Sequence, residues 1–372
     1  MQKPKILFIS HSFPPIVGGV ESQNSNLSKA LSQLTEVKII ANKKGKYWLP
    51  VFLPITFIKA FFLMTVYDYC LLGNGVLAPL GAVLKFFHPR KKFFCVIHGL
   101  DLTYARQEGL LPKIYCTINI PSIKTLDKLF MVSNATIEEA LQFNIKREQC
   151  VFIPNGVFVQ ELKKTHNRQE LSRIFGKNIE NKKVLLRLGR FVPHKGTSWF
   201  IRNVMPLLEE SYVMIAAGFR VGKNTAGDKD DFRECEQAII DMKLENRVKL
   251  LPSISQKEIA VLLNTVDMVI SPNIPLTGSM EGFGINVIEA GACERVVLAS
   301  ELEGLSDAIH NGKNGFFVEP EKANRWKIKI DAIFSAGDNF MKAFGKRTGK
   351  YVAKNFSWES IAQKYLNEMN RK

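Results

Sequence analysis

The chain has 372 residues, 46% of them hydrophobic and 23% charged, with a net charge of +16. That length is generous for one core and suits two domains, while the apolar share and the regular punctuation by Gly and Pro exclude a disordered chain. Six scattered cysteines (Cys70, Cys95, Cys116, Cys150, Cys235 and Cys293) show no paired spacing, which argues against a disulfide framework or a zinc site and for a reducing compartment.

The predicted elements alternate from the start. Residues 1–5 run directly into a strand at 6–10 with no signal peptide, so a cytoplasmic location is expected. A helix at 19–34 and a strand at 37–41 follow. Strands at 69–72, 93–98, 128–132 and 151–154 come next, with helices at 76–87 and 134–143 among them. The second half repeats the pattern, with strands at 184–188, 213–217, 248–251, 268–271, 296–299 and 315–318. Its helices include 257–264, 285–292 and a last one at 358–370. Such alternation implies parallel βαβ units and an α/β fold. It predicts one domain over 1–160, a polar linker at 160–168 and a second domain over 169–355.

Residues 48–66 are almost wholly apolar, with Lys59 as their one charge. The length suits a membrane span, but Pro50, Pro54 and the central Lys59 count against one. A buried helix and a helix lying on a membrane surface are the other two readings. Charge bears on the choice. Residues 1–165 hold 20 Lys+Arg against 10 Asp+Glu, net +10, and the remainder 31 against 25, net +6. Excess cations attract anionic partners. No aromatic-basic sheet motif or recognition helix accompanies them, so nucleic acid is not expected. The cluster Lys85-Phe86-Phe87-His88-Pro89-Arg90-Lys91-Lys92 mixes rings with cations, as an anionic membrane surface would require.

Two segments carry the chemistry. In Glu281-Gly282-Phe283-Gly284-Ile285-Asn286-Val287-Ile288-Glu289, two carboxylates flank a glycine turn and an apolar helix start. Glycines let a backbone approach a ligand, and a helix N-terminus offers unpaired N–H groups that suit a phosphate. Amides near Gly284, Ile285 and Asn286 would hold phosphate or sugar oxygens, with a carboxylate on either side to accept hydroxyl hydrogen bonds. In Val184-Leu185-Leu186-Arg187-Leu188-Gly189-Arg190, a buried strand ends in a loop that reaches Lys195 and Gly196. Arg190 and Lys195 would emerge at the carboxyl end of that strand, where open α/β sheets bind ligands, and together they suit a diphosphate. The acid pair Asp228 and Asp230 sits in a polar run and reads as a solvated loop, not a metal site.

These residues resemble the retaining glycosyltransferases of family 4, which have the GT-B fold. The resemblance covers nearly the whole chain. It includes Phe13-Pro14-Pro15-Ile16-Val17-Gly18-Gly19, Ile97-His98-Gly99, Ile153-Pro154-Asn155-Gly156-Val157 and Asn311-Gly312-Lys313-Asn314-Gly315. The tail Phe356-Ser357-Trp358-Glu359-Ser360-Ile361 also fits. The resemblance implies two Rossmann-like domains facing across a cleft, with the helix in 356–372 crossing back onto the first. It implies that Glu281 faces the donor sugar, that Glu289 binds ribose hydroxyls and that Arg190 and Lys195 neutralise the departing diphosphate. It further implies that Gly18 and Gly19 amides lie beside the diphosphate and that His98 lies beside the reacting sugar. Asp101, Tyr104 and Asn155 are candidates for the acceptor side, with Arg106 a weaker one, and Glu21 is left between helix capping and acceptor contact. No metal or other cofactor is expected, since basic residues and helix dipoles take that place.

The function so implied is transfer of a sugar, with retention, from a nucleotide diphosphate sugar of UDP or GDP type. The acceptor would be a glycan or lipid-linked intermediate of cell-envelope polysaccharide or lipopolysaccharide synthesis, met at the inner face of the membrane. A GT-B sugar-nucleotide epimerase and a non-catalytic basic, membrane-associated binding protein are the rival readings. A nicotinamide dehydrogenase is disfavoured, because the turn at 10–19 lacks the G-x-G-x-x-G spacing.

Overall fold

A computed structural model describes residues 3–16, 18–220 and 230–371; Val17 of the first-turn motif and Asp228 of the acid pair lie outside the described residues. The strands are β1 (Ile6–Ser10), β2 (Val37–Ala41), β3 (Tyr69–Leu72), β4 (Lys92–Ile97), β5 (Lys128–Met131) and β6 (Cys150–Phe152). They continue with β7 (Lys183–Leu188), β8 (Tyr212–Ala217), β9 (Val248–Leu251), β10 (Met268–Ser271), β11 (Val296–Ser300) and β12 (Phe316–Val318). Every predicted strand is present, within two residues of its expected bounds. The apolar runs explain this. A parallel strand is covered on both faces, so β1 and β8 are buried at every position and carry no polar alternation.

The chain divides into two compact units, one of residues 1–156 with 358–372, the other of 157–357. Among the described residues the first holds a parallel sheet in the order β2-β1-β3-β4-β5-β6, and the second one in the order β12-β11-β10-β7-β8-β9. Both are doubly wound. In the first, the winding reverses between β1 and β3; in the second, between β7 and β10. At such a reversal neighbouring connections leave toward opposite faces, and a crevice opens beyond the carboxyl ends of the strands.

The polar run 160–168 is not a linker between the units; it belongs to the second. Its polar groups are engaged locally. Lys163 pairs with Glu294, the Lys164 N–H donates to Asn264 Oδ1, and Asn167 caps the helix Arg168–Phe175 through a capping box with Glu170. The final helix, Trp358–Asn370, belongs to the first unit. The Tyr365 ring lies 4.8 Å from Phe130, and Lys128 Nζ donates to the Glu368 carbonyl. Phe356, just before it, stays with the second unit against Phe283.

The helix Leu49–Leu63 covers most of the apolar segment 48–66. It is neither a span nor a fully buried helix. Phe52, Thr56 and Ala60 form one buried stripe at helical spacing, and Ala60 joins the core with Leu7, Ile9, Leu72 and Leu84. A helix that gives one face to a sheet core lies along that sheet, and its other face is left outward.

The turn after β7 approaches the segment after β10 through Gly196. Its φ is +64°, and a Cβ there would lie 1.9 Å from the carbonyl oxygen of Pro272. Backbone meets backbone, so no side-chain movement relieves the clash. Gly196→Ala is expected to cost the second unit about 3 kcal/mol or more in urea unfolding; a loss below about 1 kcal/mol would mean the two segments separate easily.

Candidate active site

At the reversal of the second sheet, the loop after β7 supplies Lys195 and the segment after β10 supplies Asn273 and Glu281. Lys195 Nζ pairs with Glu281 Oε2, which also accepts from Asn273 Nδ2 at 3.0 Å. Both partners of the pair are nearly out of water. Burial by itself would raise the Glu281 carboxyl, but Lys195 holds it down at about 2. Burial lowers the Lys195 ammonium from its ordinary value, against the pull of Glu281. Glu281 is therefore ionised at neutral pH.

Three further groups fix this pair, and the sequence did not single them out. His194 shares a 2.8 Å hydrogen bond with Ser279, and burial followed by the Lys195 charge pushes its imidazole down to about 3. It is neutral, and it holds the loop 274–281 against the loop 193–196, helped by the Ile274 N–H to the His194 carbonyl. Arg187 is fully buried at the end of β7 and donates to the carbonyls of Gly189 and Arg190. Burial lowers it to about 10, so it keeps its charge. The Glu303 carboxylate accepts from the Glu281 N–H. Arg190 itself is exposed at the strand end.

The glycine turn 282–284 delivers the helix Ile285–Ala292. Gly284 is left-handed at φ +85°, and a Cβ on it would meet Leu305 Cδ2 at 2.6 Å. Asn286 Nδ2 donates to the Leu188 carbonyl, tying the helix start to the end of β7. The first-turn N–H groups of this helix thus sit at the carboxyl end of the sheet. The Phe283 ring is buried against Phe356. It anchors the turn, and only its backbone is available to a donor. Glu289, one turn on, is half-buried. Its carboxyl makes no hydrogen bond or ion pair with the described residues, and burial raises it to about 7. An acid held without a protein partner beside a helix N-terminus can accept hydrogen bonds from hydroxyls brought by a ligand.

The first unit gathers its candidates at the β1/β3 reversal. His98 Nε2 donates to the Gly73 carbonyl at 2.9 Å, which fixes the ring beyond β4. Asp101 is buried, and its two oxygens accept from the His98 N–H at 2.8 Å and the Gly75 N–H at 3.1 Å, tying two loops together. Glu21 neither caps the helix Gly19–Ser32 nor stands open, since Ser12 Oγ donates to it at 2.6 Å. It also fills the space that a Cβ on Gly18 would take, whereas a Cβ on Gly19 would meet open space. Tyr104 stacks edge-on against Tyr115. Arg106 is turned away to Glu139 and Gln142. Asn155 is buried with its Oδ1 unpaired, and Gly156 packs under Trp358. In the second unit Asp230 pairs with Arg220.

Lys195→Ala leaves Glu281 buried with its charge uncompensated. It is expected to lower the unfolding free energy by about 3 kcal/mol, with partial recovery in Lys195→Ala/Glu281→Gln. A double-mutant cycle in urea measures the coupling, and a value under about 0.5 kcal/mol would mean the pair is separated by water. Glu289 behaves oppositely. Its folded value of about 7 lies above the ordinary 4.5, so the folded state binds the extra proton and loses stability as pH rises between them. Glu289→Gln should flatten that slope and raise the thermal midpoint at pH above about 7; an unchanged pH profile would contradict the burial.

Comparison with known proteins completes the picture. Residues 168–351 match the family model described as glycosyl transferases group 1. The N,N'-diacetylbacillosaminyl-diphospho-undecaprenol alpha-1,3-N-acetylgalactosaminyltransferase of Campylobacter jejuni is 23% identical over 284 residues, 75% of this chain and 70% of that protein. An uncharacterized glycosyltransferase of Methanocaldococcus jannaschii is 25% identical over 369 residues, 93% of this chain and 92% of its own. The crystal structure of Anabaena HepE in complex with UDP and glucose superposes with a TM-score of 0.78 at 19% identity, covering 99% of this chain and 100% of that one. The fold is GT-B, and the second unit, over residues 168–351, carries the match to the glycosyl transferases group 1 family.

Proposed function

We propose that the protein is a retaining glycosyltransferase that moves a sugar from a UDP- or GDP-sugar to a glycan or lipid-linked acceptor in cell-envelope polysaccharide or lipopolysaccharide synthesis. The observation that carries the reading is the convergence, at one sheet reversal, of the Lys195–Glu281 pair, the N-terminus of the helix Ile285–Ala292 and the unpartnered Glu289. Those three features suit a sugar, a diphosphate and a ribose in a row. Undecaprenol in the name of the Campylobacter relative supports a lipid-linked acceptor, and UDP in the Anabaena structure supports a uridine donor. A lipid-linked acceptor would keep the reaction at the inner face of the membrane.

In this reading the diphosphate sits on the first-turn amides of Ile285 and Asn286, with Arg190 and Lys195 beside it. Negative charge grows on the leaving phosphate as the glycosidic bond breaks, so fixed cations there favour the transition state over the ground state. Glu281 accepts hydrogen bonds from sugar hydroxyls and is not a covalent nucleophile, because Lys195 and Asn273 already occupy Oε2. The acceptor hydroxyl attacks from the side the diphosphate leaves and passes its proton to a phosphate oxygen, which gives retention. Arg190, Lys195 and the helix N-terminus supply the positive charge that a divalent ion would otherwise bring.

Thermal shifts with UDP, GDP, ADP, CMP and dTDP test this directly. A diphosphate at about a hundred times its dissociation constant adds about 2.7 kcal/mol, and Glu289→Ala should abolish the rise. Arg190→Ala should cut kcat by about a hundredfold while moving stability by less than about 0.5 kcal/mol, because Arg190 is exposed. No rise with any nucleotide would sink the reading.

A further inference from the structure

The first unit carries a broad apolar face that its own core does not use. The helices Leu49–Leu63, Ala78–Phe87 and Leu110–Lys124 pack side by side in that order. Each gives one stripe to the core, the second through Gly81 and Leu84 and the third through Ile120 and Ile123. Their outward stripes stay apolar. Ile58 is 58% exposed, Phe62 67%, Phe86 80%, Leu110 74% and Leu111 69%. The Phe87 ring lies 5.6 Å from Phe61 and 5.4 Å from Phe86, so the first two helices share one aromatic surface. A monomer seldom leaves so wide a contiguous apolar area without a partner.

Charge selects that partner. No Asp or Glu occurs between Glu36 and Asp68, between Asp68 and Asp101 or between Glu108 and Asp127, so none of the three helices holds an acid. Lys85 is committed to Asp127 at 2.8 Å and is withdrawn from any lipid. Lys59, Arg90, Lys91 and Lys92 make no ion pair among the described residues. At the head of the first helix, Lys44 lies over the Trp48 ring and Lys46 over Tyr47. Aromatic rings beside ammonium groups suit the headgroup level of a bilayer. A second copy of this face would bring cations against cations, whereas an anionic bilayer brings phosphates. We propose that this three-helix face docks in plane on an anionic lipid bilayer. The apolar stripes enter the boundary between headgroups and acyl chains, and Lys59, Arg90, Lys91 and Lys92 meet lipid phosphates. The first helix does not cross the bilayer, because Phe52, Thr56 and Ala60 are held in the protein core. The inference stands apart from sugar transfer and is read without it.

Vesicle flotation of the full chain is the test. Binding to vesicles containing phosphatidylglycerol should exceed binding to neutral phosphatidylcholine vesicles by about tenfold and weaken as salt is raised. Phe62→Ser/Phe86→Ser should lose about tenfold in binding to both, with an unchanged thermal midpoint. Lys59→Gln/Arg90→Gln/Lys91→Gln should lose only the preference for anionic vesicles. Three results would overturn the proposal: no flotation; equal flotation with both vesicles; and a lipid-free dimer that Phe62→Ser/Phe86→Ser dissolves, which would assign the face to a second copy.

Discussion

An ammonium and a carboxylate held together with little water around them set the geometry of the second unit's functional end. Lys195 and Glu281 come from loops after different strands, and each charge is tolerable out of water because the other is there. Everything near them serves that closeness. Gly196 lets the two backbones touch, Asn273 satisfies the same oxygen that Lys195 pairs with, and neutral His194 ties the loops without adding a charge. Arg187 spends its guanidinium on two carbonyls and so stiffens the turn that carries Arg190. The result is a fixed set of charges at the carboxyl end of the second sheet, beside its winding reversal.

The first unit reaches a comparable order by other means. Its organiser is a single carboxylate, Asp101, whose oxygens are both taken by backbone N–H groups from different loops. His98 is then held to the Gly73 carbonyl, with its ring in one orientation. The second unit gathers cations beside a helix N-terminus, whereas the first gathers two carboxylates, Asp101 and Glu21, and a histidine, each bonded within the unit.

The positive charge of the chain lies in two separate places. Some of it lies at the β7/β10 reversal, fixed by buried partners. More of it surrounds an apolar face on the first unit, where Lys59, Arg90 and their neighbours stand without acids. The two places belong to different sheets. The carboxyl edge of the second sheet opens a crevice at its winding reversal, and the helices that cover the first sheet must bury only one stripe each, leaving the other stripe open.

The sequence by itself determined the twelve strands, because continuous apolar runs between Gly, Pro and polar turns admit little else. It also determined the parallel winding, and it pointed to Glu281, Glu289, Arg190 and Lys195 through glycine turns at predicted strand ends. Only the tertiary structure decided the partners. Asp101 and Glu21 carried no mark of their internal bonds, since Gly75 and Ser12 are remote in sequence or ordinary in type. His194 was missed for the same reason, since Ser279 is 85 residues away, whereas Asn273 and Arg187 bond within eight and three residues and were missed because a lone polar residue beside an apolar run is ordinary in type. The Ser271-Pro272-Asn273 end of β10 was the one available signal, being a strand end at a winding reversal. The fate of 48–66 was likewise undecidable from composition. Its apolar residues read alike in sequence, and packing on the sheet sorted them into a buried stripe at Phe52, Thr56 and Ala60 and an exposed one at Ile58 and Phe62. Local chemistry fixes which elements form; which of their side chains meet depends on contacts between distant segments, which no local pattern encodes.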